Sequence, residues 1–232
     1  MGAALAGILL AVGLAGAPST ATGAEPGATS TADPAKVRAW NREAFERYEA
    51  GDTARALVLY RRAAQAGDPS AKYNLAVIRI RGESRTPSFA AALAMLRASA
   101  TAGFAPAQYM LGAMYESGRG VTASQAQATT WYEKAAEQGM ADAQTSLATQ
   151  YYLGRGVTQD FAAAARWYER AAGSGDVGAQ YLIASMYHSG LGVTQDLQSA
   201  LDWYSAAARQ GDDAARLQAR QLAERIARDR DS

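Results

Sequence analysis

Three Gly-x-Gly turns are the first residues in this 232-residue chain that could do chemistry, since glycine-rich loops can cradle phosphate groups. They lie at residues 118–120, 154–156 and 190–192. A nucleotide-binding loop also needs a preceding strand and either a Gly-Lys-Ser/Thr ending or a longer glycine fingerprint, and these turns have neither. We therefore interpret them as structural turns that hold no cofactor.

Ionisable side chains give as little support for a catalytic or metal site. His188 is the only histidine and the chain has no cysteine, whereas a zinc site needs three or four ligands. Paired carboxylates could serve a glycosidase, but Asp160 and Asp196 stand before predicted helices, where aspartate caps free backbone N–H groups. Other acidic residues are expected on exposed helix sides, namely Glu133, Glu137, Glu169 and Asp202. We predict no catalytic residue, no cofactor and no metal.

Aromatic pairs could form a platform for a sugar or a cation. They are Trp131-Tyr132, Trp167-Tyr168 and Trp203-Tyr204. Each pair stands 36 residues after the one before, beside alanines, and this strict recurrence favours packing in a core over ligand binding.

The 36-residue step runs through most of the chain and defines the elements that must position these residues. A glycine column and two alanine columns keep the same register as the aromatic pairs. Their members are Gly67, Gly103, Gly139, Gly175 and Gly211; Ala56, Ala92, Ala128, Ala164 and Ala200; and Ala71, Ala107, Ala143, Ala179 and Ala215. Internal repeats of this length are typical of solenoid proteins.

Each period predicts two helices separated by a glycine turn. From 105 to 138, apolar residues at spacings of three and four mark one helix, Gly118 to Val121 breaks it, and a second stripe follows around Trp131. A helix pair cannot bury its large apolar face alone, so stacked pairs share one core. The sequence therefore predicts an all-α solenoid of stacked antiparallel helix pairs with a 36-residue period.

The ends deviate from the pattern, as terminal repeats should. Residues 71–102 keep only Gly82-Glu83-Ser84 as the turn and carry Met95 where later repeats carry tryptophan. Residues 212–230 are predicted to form one charged capping helix whose inward residues are Leu217, Leu222 and Ile226.

The repeat from Ala107 to Gly139 resembles the Sel-1-like repeat, a subclass of tetratricopeptide-like helical hairpins. The residues that carry the likeness are Ala107, Leu111-Gly112, Met114-Tyr115, Gly118, Gly120-Val121, Ala128, Trp131-Tyr132, Ala135-Ala136 and Gly139. The resemblance covers roughly residues 35–215. It implies a right-handed superhelix whose concave side is lined by the first helix of each pair, and work as an adaptor or scaffold, often in bacterial envelopes.

Variable positions on the first helices are the best candidates for binding a partner on that concave face. Tyrosine offers a ring and a hydroxyl at small entropic cost, which suits recognition. The candidates are Tyr73, Tyr109, Thr145 and Tyr181 in one column, Thr149 and Ser185 in a second, and Glu116, Tyr152 and His188 in a third. The alternative left open is that Tyr109 and Tyr181 pack between repeats.

The N-terminal residues predict export. Ala3 to Ala17 is apolar and uncharged, too short at about 1.5 Å per residue to span a membrane, and a small-residue cleavage site ends at Ala24. A basic residue before the apolar run is missing. We predict a signal peptide at 1–24, a flexible linker at 25–34, a solenoid of about five helix pairs at 35–211 and a capping helix and tail at 212–232.

Lys plus Arg number 23 and Asp plus Glu number 22, so composition does not favour nucleic acid as a partner. The leading hypothesis is a monomeric periplasmic or secreted scaffold that binds a protein or peptide and has no transmembrane span when mature. The resemblance alone motivates a second hypothesis, binding or hydrolysis of cell-wall glycan or β-lactam. A structural spacer is the third.

Overall fold

The computed structural model describes residues 32–83 and 88–231, and in this part of the chain every regular element is a helix. Its helices, in chain order, are α1 (Pro34–Glu49), α2 (Thr53–Gln65), α3 (Pro69–Ile80), α4 (Phe89–Thr101), α5 (Ala105–Ser117), α6 (Gln125–Glu137), α7 (Ala141–Leu153), α8 (Phe161–Gly173), α9 (Val177–Ser189), α10 (Leu197–Arg209) and α11 (Asp213–Asp231). The predicted all-α class is confirmed. The predicted signal peptide at 1–24 and residues 25–31 of the predicted linker lie outside the described residues.

Consecutive helices pack on one another within each of two compact units, which divide the described part of the chain between Ala113 and Met114. In the first unit α1 packs on α2, α2 on α3 and α3 on α4. In the second unit each helix from α6 to α11 packs on the next. The helices from α4 to α10 all have 13 residues, so the period of the sequence corresponds to one helix pair. The predicted stacking of helix pairs is confirmed within each unit.

Helix ends are set by the aspartates and glycines that the sequence indicated. Asp160 and Asp196 each accept a hydrogen bond from the backbone N–H three residues later, at 2.9 and 3.1 Å. The Ser199 hydroxyl also donates to Asp196 and holds the pKa of that carboxyl below its ordinary value. Gly154 and Gly190 end α7 and α9 with φ of 67° and 74°, a left-handed conformation that favours glycine. The predicted caps are confirmed.

The core contains small alanines and one tyrosine from most second helices. These tyrosines are at most 3% exposed: Tyr60, Tyr132, Tyr168 and Tyr204. The tryptophans that precede the last three are only half-buried, so the prediction of core packing holds fully for tyrosine and in part for tryptophan. Cations cover the outer indole faces: Lys134 Nζ lies 4.3 Å from the Trp131 ring centroid, and Arg170 Cζ lies 4.7 Å from that of Trp167.

Buried glutamines form a structural column that the sequence reasoning missed. Their side-chain amides donate to carbonyl oxygens in the last turn of the preceding second helix, at 3.1 to 3.2 Å. The same carbonyls also accept the backbone N–H of the glycine that follows each helix, at 3.0 to 3.1 Å, so the amide adds a second hydrogen bond at each helix end. The three pairs, 36 residues apart, are Gln108 with Ala100, Gln144 with Ala136 and Gln180 with Ala172.

Leu217 was predicted to point inward, and this prediction is wrong, since the residue is 54% exposed. It stands 36 residues after Tyr181, whose ring packs edge-on against Tyr204 of α10. Within the described residues no second helix follows α11, so the equivalent position has nothing to pack against. Leu222 is 2% exposed and Ile226 is half-buried, as predicted.

Candidate functional site

The candidate site is the outward face of the first helices α7 and α9 in the second unit. On α7 this face carries Asp142, Ser146, Thr149 and Leu153, which follow one another at spacings of four, three and four residues. On α9 the same positions carry Gly178, Leu182, Ser185 and Ser189. Residues at these spacings share one face of a helix. Because the two helices have the same place in successive repeats, the two faces are turned to the same side of the unit.

Thr149 and Ser185 on this face form hydrogen bonds with the hydroxyl groups of the core tyrosines. Thr149 Oγ1 lies 2.9 Å from the Thr145 carbonyl oxygen and 2.9 Å from the Tyr168 hydroxyl. Since Thr149 has one proton and donates it to the carbonyl, Tyr168 must donate to Thr149. Burial raises the pKa of Tyr168, and the hydrogen bond with Thr149 opposes that rise. One repeat later Ser185 forms a hydrogen bond with the Tyr204 hydroxyl, and burial raises the pKa of Tyr204.

Glu116 has the corresponding role for Tyr132. The equivalent of Thr149 and Ser185 in this repeat is Ala113, which has no hydroxyl. The Tyr132 hydroxyl instead donates to Glu116 Oε2 at 2.7 Å, and the Gln150 amide donates to Oε1 at 3.1 Å. The residues in the two columns therefore vary with the hydrogen-bond partner that each tyrosine hydroxyl has. This internal role explains Glu116, Thr149 and Ser185, and contact with another protein is not required to explain them.

Three predicted aromatic residues are half-buried, with one side of each ring held against the following second helix. Tyr152 packs edge-on against Phe161, with ring centroids 5.3 Å apart. Tyr181 and His188 both face Tyr204, at 5.3 and 6.5 Å. The contact between Tyr181 and Tyr204 lies within one repeat, so it is not the packing between repeats that the sequence left open, and Tyr181 keeps part of its surface open.

The remaining predicted residues differ in exposure. Tyr73 is 3% exposed and packs edge-on against Phe104 at 5.4 Å, so its ring is not available to a partner. Tyr109 and Thr145 are half-buried. The Thr145 hydroxyl is buried without a hydrogen-bond partner.

A double-mutant cycle separates hydrogen bonding from shape at the Thr149–Tyr168 contact. Thr149→Val keeps the shape but leaves the buried Tyr168 hydroxyl without this acceptor, so we expect a loss of about 1–2 kcal/mol in the free energy of unfolding. Tyr168→Phe should cost about 1 kcal/mol. The double variant should lose less than the sum of the two, because no hydroxyl is then left unpaired. Urea unfolding followed by circular dichroism measures all three, and strict additivity would show that the hydrogen bond contributes nothing.

Two exposed leucines on the face were not singled out by the sequence. Leu153 is 44% exposed and Leu182 is 36% exposed. The signal in the sequence that could have found them is variation within their columns. Ser117 and Ser189 stand 36 residues before and after Leu153, and Ser146 stands 36 residues before Leu182. Serine is more often exposed than buried in proteins, so its presence in these columns favours an exposed position.

The Gly-x-Gly turns are filled by protein. A Cβ added at Gly156 would lie 2.4 Å from the Gln125 carbonyl carbon, and one at Gly192 would lie 2.3 Å from the Phe161 carbonyl oxygen. Each turn thus packs against the start of the preceding second helix, and the structural interpretation of these glycines is confirmed at those two positions. The Thr129 hydroxyl reinforces this contact, 3.1 Å from the Arg155 carbonyl oxygen.

The acidic residues considered for catalysis are exposed on the second helices, as expected. Among residues 32–83 and 88–231 no group of three His, Asp or Glu side chains could hold a metal ion. No helix in the same part of the chain is both long and apolar enough to cross a membrane.

Comparison with known proteins gives the repeat a family. The Sel1 repeat model matches five segments, residues 48–68, 69–104, 105–140, 141–176 and 177–212. Each complete segment contains one first helix and the second helix that follows it. No curated protein sequence matches the chain.

Solved bacterial structures share the fold. A protective antigen present in uropathogenic Escherichia coli strains, which displays an SLR fold, is 32% identical over 80% of this chain, with a TM-score of 0.74. A Sel1 repeat protein from Oxalobacter formigenes is 35% identical over 72%, with a TM-score of 0.69. This chain covers 41% and 49% of the lengths of those two chains. A sel1 repeat protein from Klebsiella pneumoniae, 22% identical with a TM-score of 0.50 and 81% and 93% of the two chains covered, is similar in fold alone.

Proposed function

Because this chain belongs to the Sel1 repeat family, a scaffold fold, we propose that it binds a protein or peptide partner on the outward face of α7 and α9. The observation that carries the proposal is the exposure of Leu153 and Leu182 on that face. Leucine side chains left in water cost free energy that a partner can recover by covering them, at about 25 cal/mol per Å² of apolar surface.

The surroundings of the two leucines suit a polypeptide ligand. Serine hydroxyls lie on the same helix faces, since Ser146 precedes Leu153 by two turns on α7 and Ser185 follows Leu182 by one turn on α9. Half-buried rings stand at the neighbouring positions Tyr152 and Tyr181 and are held by Phe161 and Tyr204. Rings fixed in this way contact a partner without losing much side-chain entropy, and aromatic anchors dominate many protein interfaces.

We propose a non-enzymatic role, in keeping with the scaffold fold of the Sel1 repeat. The exposed carboxylates considered for catalysis lie on the second helices, and the faces of α7 and α9 carry Asp142 as their one carboxylate beside hydroxyls and leucines. Such a surface can position a polypeptide but offers no paired carboxylates for hydrolysis.

Export to the bacterial envelope is part of the proposal. Its support is the apolar stretch from Ala3 to Ala17, followed by small residues up to Ala24, together with the bacterial origin of the solved relatives. Mass spectrometry of the protein recovered from a bacterial host should find a mature N-terminus at Glu25. Recovery of uncleaved chain from the cytosol would contradict export while leaving the binding surface untouched.

The binding surface is tested by capture from envelope extract with the tagged full chain. Leu153→Ser and Leu182→Ser install the residue that neighbouring repeats carry at the same positions, so both variants should fold. We expect one stoichiometric protein to be captured by the wild type and at least tenfold less by the double variant, a loss of about 1.4 kcal/mol or more.

Val58→Thr is the matched control. Val58 is 50% exposed on α2, and the equivalent residue two repeats later is Thr130. It removes an exposed apolar side chain from a different helix and should leave capture unchanged. Equal loss with the control, or no loss with the leucine variants, would place the binding surface elsewhere. If the wild type captures no protein, the proposal fails, and muropeptide and β-lactam panels become the next experiment.

A further inference from the structure

Three successive helices in the first unit concentrate positive charge. Helices α2, α3 and α4 contain no Asp or Glu. Their basic residues are Arg55, Arg61, Arg62, Lys72, Arg79 and Arg97. The whole chain is nearly neutral, with 23 basic and 22 acidic residues, so this local excess is not visible in the composition. A surface of one sign attracts ligands of the opposite sign.

A groove opens on the same helices, with α3 as its floor and α2 and α4 as its walls. Its volume is about 580 Å³, within the range of ligand-binding clefts. Met95 and several alanines form most of its apolar surface, with Leu75, only 1% exposed, at the base, and three cationic side chains, Arg61, Lys72 and Arg79, line it. No acidic residue lines the groove.

The groove exists because this repeat lacks two large aromatic residues that later repeats have, a tyrosine on the first helix and a tryptophan on the second. Arg79 stands where later repeats carry Tyr115, Tyr151 and Tyr187, and Met95 stands where they carry Trp131, Trp167 and Trp203. In the second unit Tyr151, Tyr187, Trp167 and Trp203 pack together against one apolar cluster. The corresponding space in the first unit is occupied by the narrower Met95, whose sulfur the Arg79 guanidinium contacts.

A third change falls in the same groove. Lys72 stands where Gln108, Gln144 and Gln180 close the end of the preceding helix. Among the ion pairs of the described residues, none involves Arg61, Lys72 or Arg79. Three cations without a carboxylate partner therefore surround an apolar floor.

We propose that this groove binds an acidic peptide segment. Its carboxylates pair with the cations of Arg61, Lys72 and Arg79, and an apolar side chain occupies the space over Leu75 and Met95. The two arginines can hold carboxylates with two parallel hydrogen bonds each, and their aliphatic stems extend the apolar wall. The groove lies on α2, α3 and α4, whereas the binding surface proposed above lies on α7 and α9. It is therefore a second binding site, beyond the proposed function.

The groove favours a peptide over nucleic acid. Proteins that bind single strands combine phosphate contacts with exposed aromatic rings on which bases stack. The walls here present alanine and methionine and the floor leucine, which offer no stacking platform but accept a leucine or a phenylalanine of a partner. An acidic peptide with apolar residues matches both the charge and the floor.

The test is fluorescence anisotropy of a short labelled peptide of glutamate and leucine, titrated with the full chain. We expect saturable binding that weakens as salt rises. The paired variant Arg79→Tyr and Met95→Trp installs the residues of the later repeats and should fill the groove. We expect this variant to fold, to melt at a higher temperature, and to bind the peptide at least tenfold more weakly.

Neighbouring arginines provide a control with equal charge change. Arg61→Gln removes a cation that lines the groove and should weaken binding, whereas Arg62→Gln, on the same helix outside the groove, should not. Equal effects of the two substitutions would overturn the proposal, as would equal binding of a peptide with glutamine for glutamate or one without leucine. The Leu153→Ser and Leu182→Ser variant should keep full peptide binding, so failure here and failure of the first-helix surface are distinguishable.

Discussion

Gly192→Ala is expected to destabilise the protein by roughly 2–5 kcal/mol, and Gly190→Ala in the same turn by only about 1–2 kcal/mol. The two glycines have nearly the same backbone conformation, with φ of 72° and 74°. An alanine in the left-handed region costs each variant the same steric term. What differs is the space around the new Cβ.

A Cβ added at Gly192 would lie 2.3 Å from the Phe161 carbonyl oxygen and 2.4 Å from the Phe161 carbonyl carbon. These are backbone atoms at the first turn of α8, so relief requires the turn or the helix to move. At Gly190 the nearest atom is the Gln195 Cβ at 3.3 Å, which needs a shift of a few tenths of an ångström. The second glycine of the turn is therefore a packing requirement between repeats, in addition to a conformational one.

Urea unfolding followed by circular dichroism compares the two variants directly. Thermal melting gives a second reading, since 1 kcal/mol corresponds to roughly 2–4 °C in a protein of this size. Equal losses for the two variants would mean that positive φ is the whole requirement and that the helix start yields easily. Gly156→Ala should behave like Gly192→Ala, because its Cβ would lie 2.4 Å from the carbonyl group of Gln125.

The repeat made the helices and turns predictable from sequence. Caps such as Asp160 and helix-ending glycines such as Gly154 act on residues close to them in the chain, and each is repeated, so local chemistry was enough. The same logic failed for Leu217, because its burial depends on a second helix following it, which is a tertiary fact.

The candidate site was predictable only in outline. The columns of variable residues do lie on the first helices, but the sequence could not show that Thr149 and Ser185 serve the tyrosine hydroxyls of the next helix. It also passed over Leu153 and Leu182, since a leucine at helical spacing is usually a core residue. Whether a leucine is exposed depends on which other helices pack against it, and only the structure shows that.

Glu116→Ala is the second large effect that we expect, a loss of about 2–4 kcal/mol in the free energy of unfolding. The carboxylate accepts from Tyr132 at 2.7 Å and from the Gln150 amide at 3.1 Å, and both donors are 1% exposed. Removing the acceptor withdraws a charged hydrogen-bond partner from two buried groups at once. A buried donor left without its partner costs roughly 1–3 kcal/mol.

Glu116→Gln distinguishes this internal role from contact with a partner. The amide keeps one oxygen acceptor and replaces the other with an NH₂ group that faces a donor, so stability should fall between wild type and Glu116→Ala. If Glu116 acts only inside the protein, capture of a partner by Glu116→Gln at a temperature well below its melting point should equal that of the wild type. Full stability of Glu116→Ala together with lost capture would reverse the assignment and make Glu116 a binding residue, as its column suggested from sequence alone.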